Sequence, residues 1–361
     1  MTLLDVRPAP AAAPRRPAAQ PVLALTRARL PRWAPVLVAV LSAAAAGLVT
    51  MAAGWNLAGW AVAAIGCYTA AMPAWSRVVE GGRAAKDRLL TTLVWSAFAL
   101  ACVPLVSLVV TVARHGAGVV DVRFLTYSMR NVVGPGGGIY HALMGTLLVT
   151  LGAAVISIPL GLLTAIHLVE YAARSRGART IRLLVDVMTG IPSIVAGLFA
   201  YALFALLAWP GVRMGIGGSV ALSLLMVPIV VRSCEEMLAL VPGELREAAY
   251  ALGAPKWRTI VRVVLPTAAP GIVTGITLAI ARVVGETAPL LIIAGSTDST
   301  NMNLFAERMM TLPVFIYYSF TQPGVPATYG QERAWGAALV LIAIVMALNL
   351  LARLAGRLLR H

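Results

Sequence analysis

Of 361 residues, 60% are hydrophobic and only 12% charged, which excludes an ordinary soluble domain, since soluble chains carry about a quarter charged residues. The solvent that fits is a bilayer. A net charge of +15, from 29 Lys and Arg against 14 Asp and Glu, would suggest nucleic acid in a soluble protein. In a membrane protein the same bias marks cytoplasmic loops, so no nucleic-acid partner is expected.

In chain order, residues 1–35 are rich in Pro, Ala and Arg without apolar periodicity and read as a disordered cytoplasmic tail. A cleaved signal peptide is the rival reading. The tail is too long for a typical leader's charged region and two apolar runs follow in succession, which favours anchors. Apolar stretches near 36–53, 57–75, 90–113, 142–168, 183–209, 217–240, 268–294 and 335–352 each approach the roughly 20 residues a crossing helix needs. The expected fold class is therefore all-α: a polytopic helical bundle of about eight transmembrane helices. The first two form a tight hairpin over 36–75, or one anchor and a buried segment. With the N-terminus inside, only Arg114, Arg123, Arg130, Arg213, Arg308 and Arg333 fall in outer segments, which supports an N-in, C-in topology.

Several groups carry little functional weight. Cys67, Cys102 and Cys234 lack C-x-x-C spacing and read as small hydrophobes, and the four His show no metal-binding pairing. The run GPGGG at 134–138 lacks the Lys of a phosphate-binding loop, so it reads as a flexible hinge before the fourth span. Residues 295–333 are too short and interrupted for another crossing and read as an outer cap.

Four places carry polar chemistry inside this apolar chain. Asp186 falls in the fifth span ahead of Gly190, Pro192 and Ser193; the interruption is either a kink or freed backbone lining a water-filled cavity. Arg232, Glu235 and Glu236 stand at the cytoplasmic end of the sixth span, where snorkelling or topology is the plain role and a place on a substrate path the alternative.

The loop VPGELREAAYALGAPKWRTIVRVVLP, 241–266, is punctuated as helix, turn, helix. Pro242 and Gly243 stop the preceding span, Glu244 and Glu247 suit a helix N-terminus, and Gly253 is placed for a left-handed cap. Pro255 opens a second short helix that Leu265 and Pro266 end. Ala248, Ala249 and Ala251 leave room for another backbone to dock; the alternative is an amphipathic segment on lipid, with Trp257 at the headgroups.

Arg282 lies at the middle of the seventh span, where an uncompensated guanidinium costs about 2.5–3.5 kcal/mol on insertion scales. Glu286 follows four residues later, on the same face of a continuous helix. The pair is either a buried strut between helices or part of a polar pathway in which Arg282 meets a passing oxyanion.

EAAYALG, followed by Ile260 and LP, resembles the EAA loop of ABC transporter permeases. The resemblance implies that Glu247, Ala248, Ala249, Gly253 and Pro266 form coupling helices seated in a cytoplasmic ATPase subunit. GGIYHALMGTLLVT, GIPSIVAGLF, VPIVVRSCEEML, ARVVGETAPLL and MMTLPVFIYYSF resemble the phosphate-uptake branch of that family, the PstA permeases, and within them GETAPLL and RSCEEML look more like PstA than its partner PstC. The likeness runs from about residue 90 to the C-terminus; the hairpin at 36–75 departs from the family's six-span pattern, leaving 76–361 as the permease core. It implies a type I ABC importer subunit for phosphate in the cytoplasmic membrane, without a nucleotide site or cofactor of its own. The implied partners are PstC, two copies of an ATP-binding subunit, an extracytoplasmic phosphate-binding protein and membrane lipid. It also implies that Arg282 and Glu286 belong to the transport path. Other readings are an importer for another oxyanion or small solute, and a signalling scaffold whose loop recruits a regulator.

Overall fold

The computed structural model describes residues 30–172 and 175–358, and every element among them is helical. Most of the expected tail, residues 1–29, lies outside the described residues. The chain divides into two units, one up to Leu108 and one from Val109 onward.

The first unit holds α1 (Ala34–Ala53), α2 (Leu57–Val79) and most of α3 (Gly82–Gly116). Residues 54–56 are too few for anything but a tight turn, and the Asn56 side chain accepts from the Ala58 N–H to cap α2. The helices run antiparallel: Trp60 Nε1 donates to the Ala43 carbonyl at 2.9 Å, while Ala34 and Val38 pack with Met72 at the other end. Both α1 and α2 are long and apolar enough to cross a membrane, so 36–75 is a hairpin of two candidate spans. Its open end is tied by Glu80. That carboxylate accepts from the Leu30 N–H at 2.9 Å and the Ser76 hydroxyl at 2.7 Å, and pairs with Arg88 at 3.3 Å. These donors stabilise the ionised form and hold the Glu80 pKa at about 2, against an ordinary 4.5.

The second unit is built around α5 (Tyr140–Ile166) and α8 (Gly215–Ala239). Small residues set their approach: a Cβ on Gly152 or Gly161 would collide with Ser219 or Val230. Ser219 Oγ, buried at this contact, donates to the Val149 carbonyl at 3.0 Å. A short α4 (Val122–Thr126) precedes α5, and residues 134–138 between them are pinned instead of free. Ile139 N donates to Phe124 O at 2.8 Å, and Arg333 Nη2 donates to Gly134 O at 3.0 Å.

Among the described residues seven helices are long and apolar enough to span, and the expected fifth span is the exception. It is broken into α6 (Arg176–Thr189) and α7 (Ser193–Leu207), bent by 105°. Pro192 disfavours helical geometry at Ile191 and donates no N–H, so the helix cannot run through. The expected eight spans are thus seven, or eight if the bent pair counts as one.

After α8 come α9 (Gly243–Ala251) and α10 (Lys256–Thr259), then α11 (Leu265–Val284), α12 (Ala288–Ile293), α13 (Leu312–Thr321) and α14 (Ala327–Leu358). α13 has the buried face of a cap: Leu312, Pro313, Val314 and Phe315 face the core, and the Leu312 N–H donates to Thr146 Oγ1 at 2.7 Å.

Candidate functional site

The loop after α8 folds as its punctuation requires at the first helix. α9 starts at Gly243 and closes at Gly253, whose φ of +76° is the left-handed conformation that glycine adopts without a Cβ penalty. The Ala254 N–H returns to the Ala249 carbonyl at 3.1 Å, satisfying one of the open carbonyls of the last turn.

The second helix departs from expectation. α10 does not stop at Leu265 and Pro266 but continues through a π-helical turn, Ile260–Val264, into α11. Pro266 sits in the first turn of α11, exposed, and does not end the helix. The wide turn shifts the hydrogen-bond register immediately before the proline, so its missing N–H breaks no regular ladder. As a result α10 and its π turn form one rigid lever with the span that follows.

α9 presents two different faces. Glu247, Ala248, Ala251 and Leu252 are exposed, with Leu252 at 89%, whereas Ala249 is buried beneath. The inner face is held by Arg246. Its Nε and Nη2 donate to Glu170 Oε1 at 3.1 and 2.8 Å, Nη2 also to Leu238 O at 3.0 Å, and Nη1 to Val241 O at 2.6 Å. Glu170, its side chain only 4% exposed, belongs to a π turn, His167–Tyr171, that extends α5. Beside it, Lys256 of α10 lies 4.9 Å from the centre of the Tyr171 ring. Nothing in the sequence points to Glu170 as the partner of Arg246, because no local spacing links residues 76 positions apart.

A second set of charges ties α6 to α8. Arg182 Nε donates to Glu235 Oε1 at 2.6 Å, and Arg232 pairs with Asp186 and, at 3.7 Å, with Glu235. Asp186 and Arg232, read separately as pathway candidates, are therefore partners just ahead of the α6–α7 bend. Ser193 begins α7 on the far side of that bend, half-buried.

Arg282 and Glu286 are not brought together. α11 ends at Val284, so Arg282 lies in its last turn and not at mid-span, while Glu286 belongs to the connection to α12. Among the described residues no ion pair joins them. The expected i, i+4 geometry requires an unbroken helix, and Gly285 interrupts it. What offsets the Arg282 charge within this chain is the negative end of the α11 dipole. Its residue is exposed, as is Leu278 one turn earlier on the same face.

Residues 157–361 match the family of binding-protein-dependent transport system inner membrane components. Phosphate transport system permease protein PstA 1 of Mycobacterium tuberculosis H37Rv is 48% identical over 274 residues, 75% of this chain and 87% of that protein. The PstA of Mycobacterium leprae is 46% identical over 278 residues, covering 76% and 90% of the two chains, and that of Yersinia pestis 44% over 218 residues, covering 60% and 72%.

Proposed function

We infer that this chain, which belongs to the PstA family of phosphate transport system permeases, is the multi-pass membrane subunit through which an ATP-driven importer carries inorganic phosphate into the cell. The observation that carries the reading is Arg282. An exposed guanidinium on an otherwise apolar helix needs water or a polar partner beside it, and a passage completed by a second permease subunit supplies both. A guanidinium fork matches phosphate oxygens. Because no carboxylate among the described residues pairs with Arg282, its guanidinium is available to a passing anion.

Energy enters through α9 and α10. The exposed face of Glu247, Ala248 and Leu252 suits a cleft on a separate ATPase subunit, and the Gly253 turn sets its angle. Arg246 transmits force inward to Glu170 and the end of α5, and the α10–α11 lever delivers it to Arg282. Asp186, Arg232 and Ser193 flank the α6–α7 bend, where a change in angle would open or close the passage. PstC as the second permease, two ATP-binding subunits and an extracytoplasmic phosphate-binding protein complete the importer. The permease core is 76–361, with 36–75 an added hairpin; ATP binds only to the partner subunits.

Phosphate uptake by Arg282→Ala and Arg282→Lys variants, with membrane assembly checked by blot, tests the reading. Loss of uptake in the Ala variant with normal assembly supports it. Normal uptake in both removes Arg282 from the path, and equal competition by sulfate or molybdate would replace phosphate by another oxyanion.

A further inference from the structure

A second cationic site lies beyond the far end of α12. Arg213 and Arg308 come from segments far apart in sequence, yet their stems converge on Gly295. A Cβ there would stand 3.2 Å from Arg213 Cδ and 3.2 Å from Arg308 Cγ. Gly295 is buried with φ of +77°, a conformation that disfavours any side chain, so the backbone favours glycine and the two arginine stems pack closely over it. Hydrogen bonds on either side fix the arrangement. Met214 N donates to Ile293 O at 2.9 Å, and Met309 N to Ala294 O at 3.0 Å. Asn301 Nδ2 braces the Arg308 segment by donating to the carbonyls of Ala306 at 2.6 Å and Arg308 at 3.1 Å.

The two exposed guanidinium side chains line an open, solvent-facing cavity of about 510 Å³ together with Ser296, Thr297 and Glu307. Among the described residues neither arginine enters an ion pair. Glu307 itself holds φ of +56°, a left-handed conformation unfavourable for a residue with a side chain; such strain persists only where the surroundings impose it. In the N-in topology this cavity is on the outer side, where Lys and Arg are scarce, so the positive-inside bias does not account for the pair. Six residues of α12, about 9 Å of helix, separate the cavity from the break that follows Arg282.

We propose that Arg213 and Arg308, with the Ser296 and Thr297 hydroxyls, form an outer binding site for inorganic phosphate, which receives the anion before it reaches Arg282. Two forks and two hydroxyls supply donors for a tetrahedral oxyanion, and Glu307 lowers the net charge so that the ion is released inward. The proposal rests on the phosphate-permease reading, and its test separates the two.

The experiment measures binding of radiolabelled inorganic phosphate to the full chain in nanodiscs, and phosphate uptake by the reconstituted importer. It compares Arg213→Gln/Arg308→Gln, Arg213→Lys/Arg308→Lys and Arg282→Ala. The Gln pair should lose at least tenfold in both binding and uptake, and the Lys pair should recover part of each. Arg282→Ala should lose uptake while retaining outer binding. Unchanged binding in the Gln pair overturns the site and leaves the permease reading intact; unchanged uptake in Arg282→Ala does the reverse. If the Gln pair binds phosphate normally and only the half-saturating concentration of binding protein rises, the arginines dock that protein and the proposal fails.

Discussion

Arg246 and Arg282 are both guanidiniums on helices of the same unit, and they occupy opposite electrostatic states. Arg246 makes bonds to one buried carboxylate and two backbone carbonyls; among the described residues Arg282 has no ion-pair partner, and it is exposed. A cation held by a buried carboxylate fixes geometry, because moving it would strand that carboxylate. A cation left without a carboxylate contributes little to holding the fold together and is free to meet a ligand. The coupling loop is thus anchored by its charge, whereas the helix break is made responsive by its own.

The sharpest way to break this comparison is to remove the anchor. Glu170→Ala leaves Arg246 facing a buried void, and loss of one partner of a buried pair costs about 3–5 kcal/mol. The thermal midpoint of the extracted protein should fall accordingly. In a double-mutant cycle, Arg246→Ala should add much less to Glu170→Ala than it costs alone. Simple additivity would mean that the pair is not coupled.

Arg282→Ala should do the opposite. Stability should stay within about 0.5 kcal/mol of the parent, as for substitutions away from packed features, while uptake falls at least tenfold, about 1.4 kcal/mol. A drop in thermal midpoint comparable to that of Glu170→Ala would make Arg282 a strut and erase the contrast.

A smaller effect is expected at the turn between α9 and α10. Gly253→Ala must hold a left-handed φ at a cost of roughly 1 kcal/mol, although no neighbouring atom obstructs the methyl group. Re-aiming α9 by that amount should reduce co-purification of the ATPase by about fivefold and leave Arg246 bonded. Full co-purification would place the docking surface elsewhere than α9.

These contrasts were only partly legible in the sequence. Gly253 was readable because a glycine after a short helical run has a local mechanism, and the long spans were readable from apolar length. The end of α11 was not, since the mostly apolar stretch runs on to 294 despite Arg282 and Glu286, and Gly285 alone is a weak stop. Pro266 misled for a related reason: a proline ends a regular helix, but a π turn just before it removes the conflict. The bonds from Arg246 to Glu170 and from Arg232 to Asp186 join residues 76 and 46 positions apart, and single-sequence spacing holds no record of such pairs.

The effect with the least bearing on uptake belongs to the first unit and extends the same logic to a carboxylate. Glu80 is satisfied as Arg246 is, by the Leu30 N–H, the Ser76 hydroxyl and Arg88, and its pKa is depressed to about 2. A group with a folded pKa below its unfolded value contributes stability above the unfolded value and loses it as pH falls through the folded one. The stability difference between the parent and Glu80→Gln should therefore be flat from about pH 5 to 8 and shrink as pH drops from 4.5 toward 2. Phosphate uptake near neutral pH should be unaffected, because Glu80 ties the hairpin and is part of neither the loop after α8 nor α11. A stability difference that instead changed between pH 5 and 8 would show that another titrating group, and not the ionised carboxylate, closes the open end of α1 and α2.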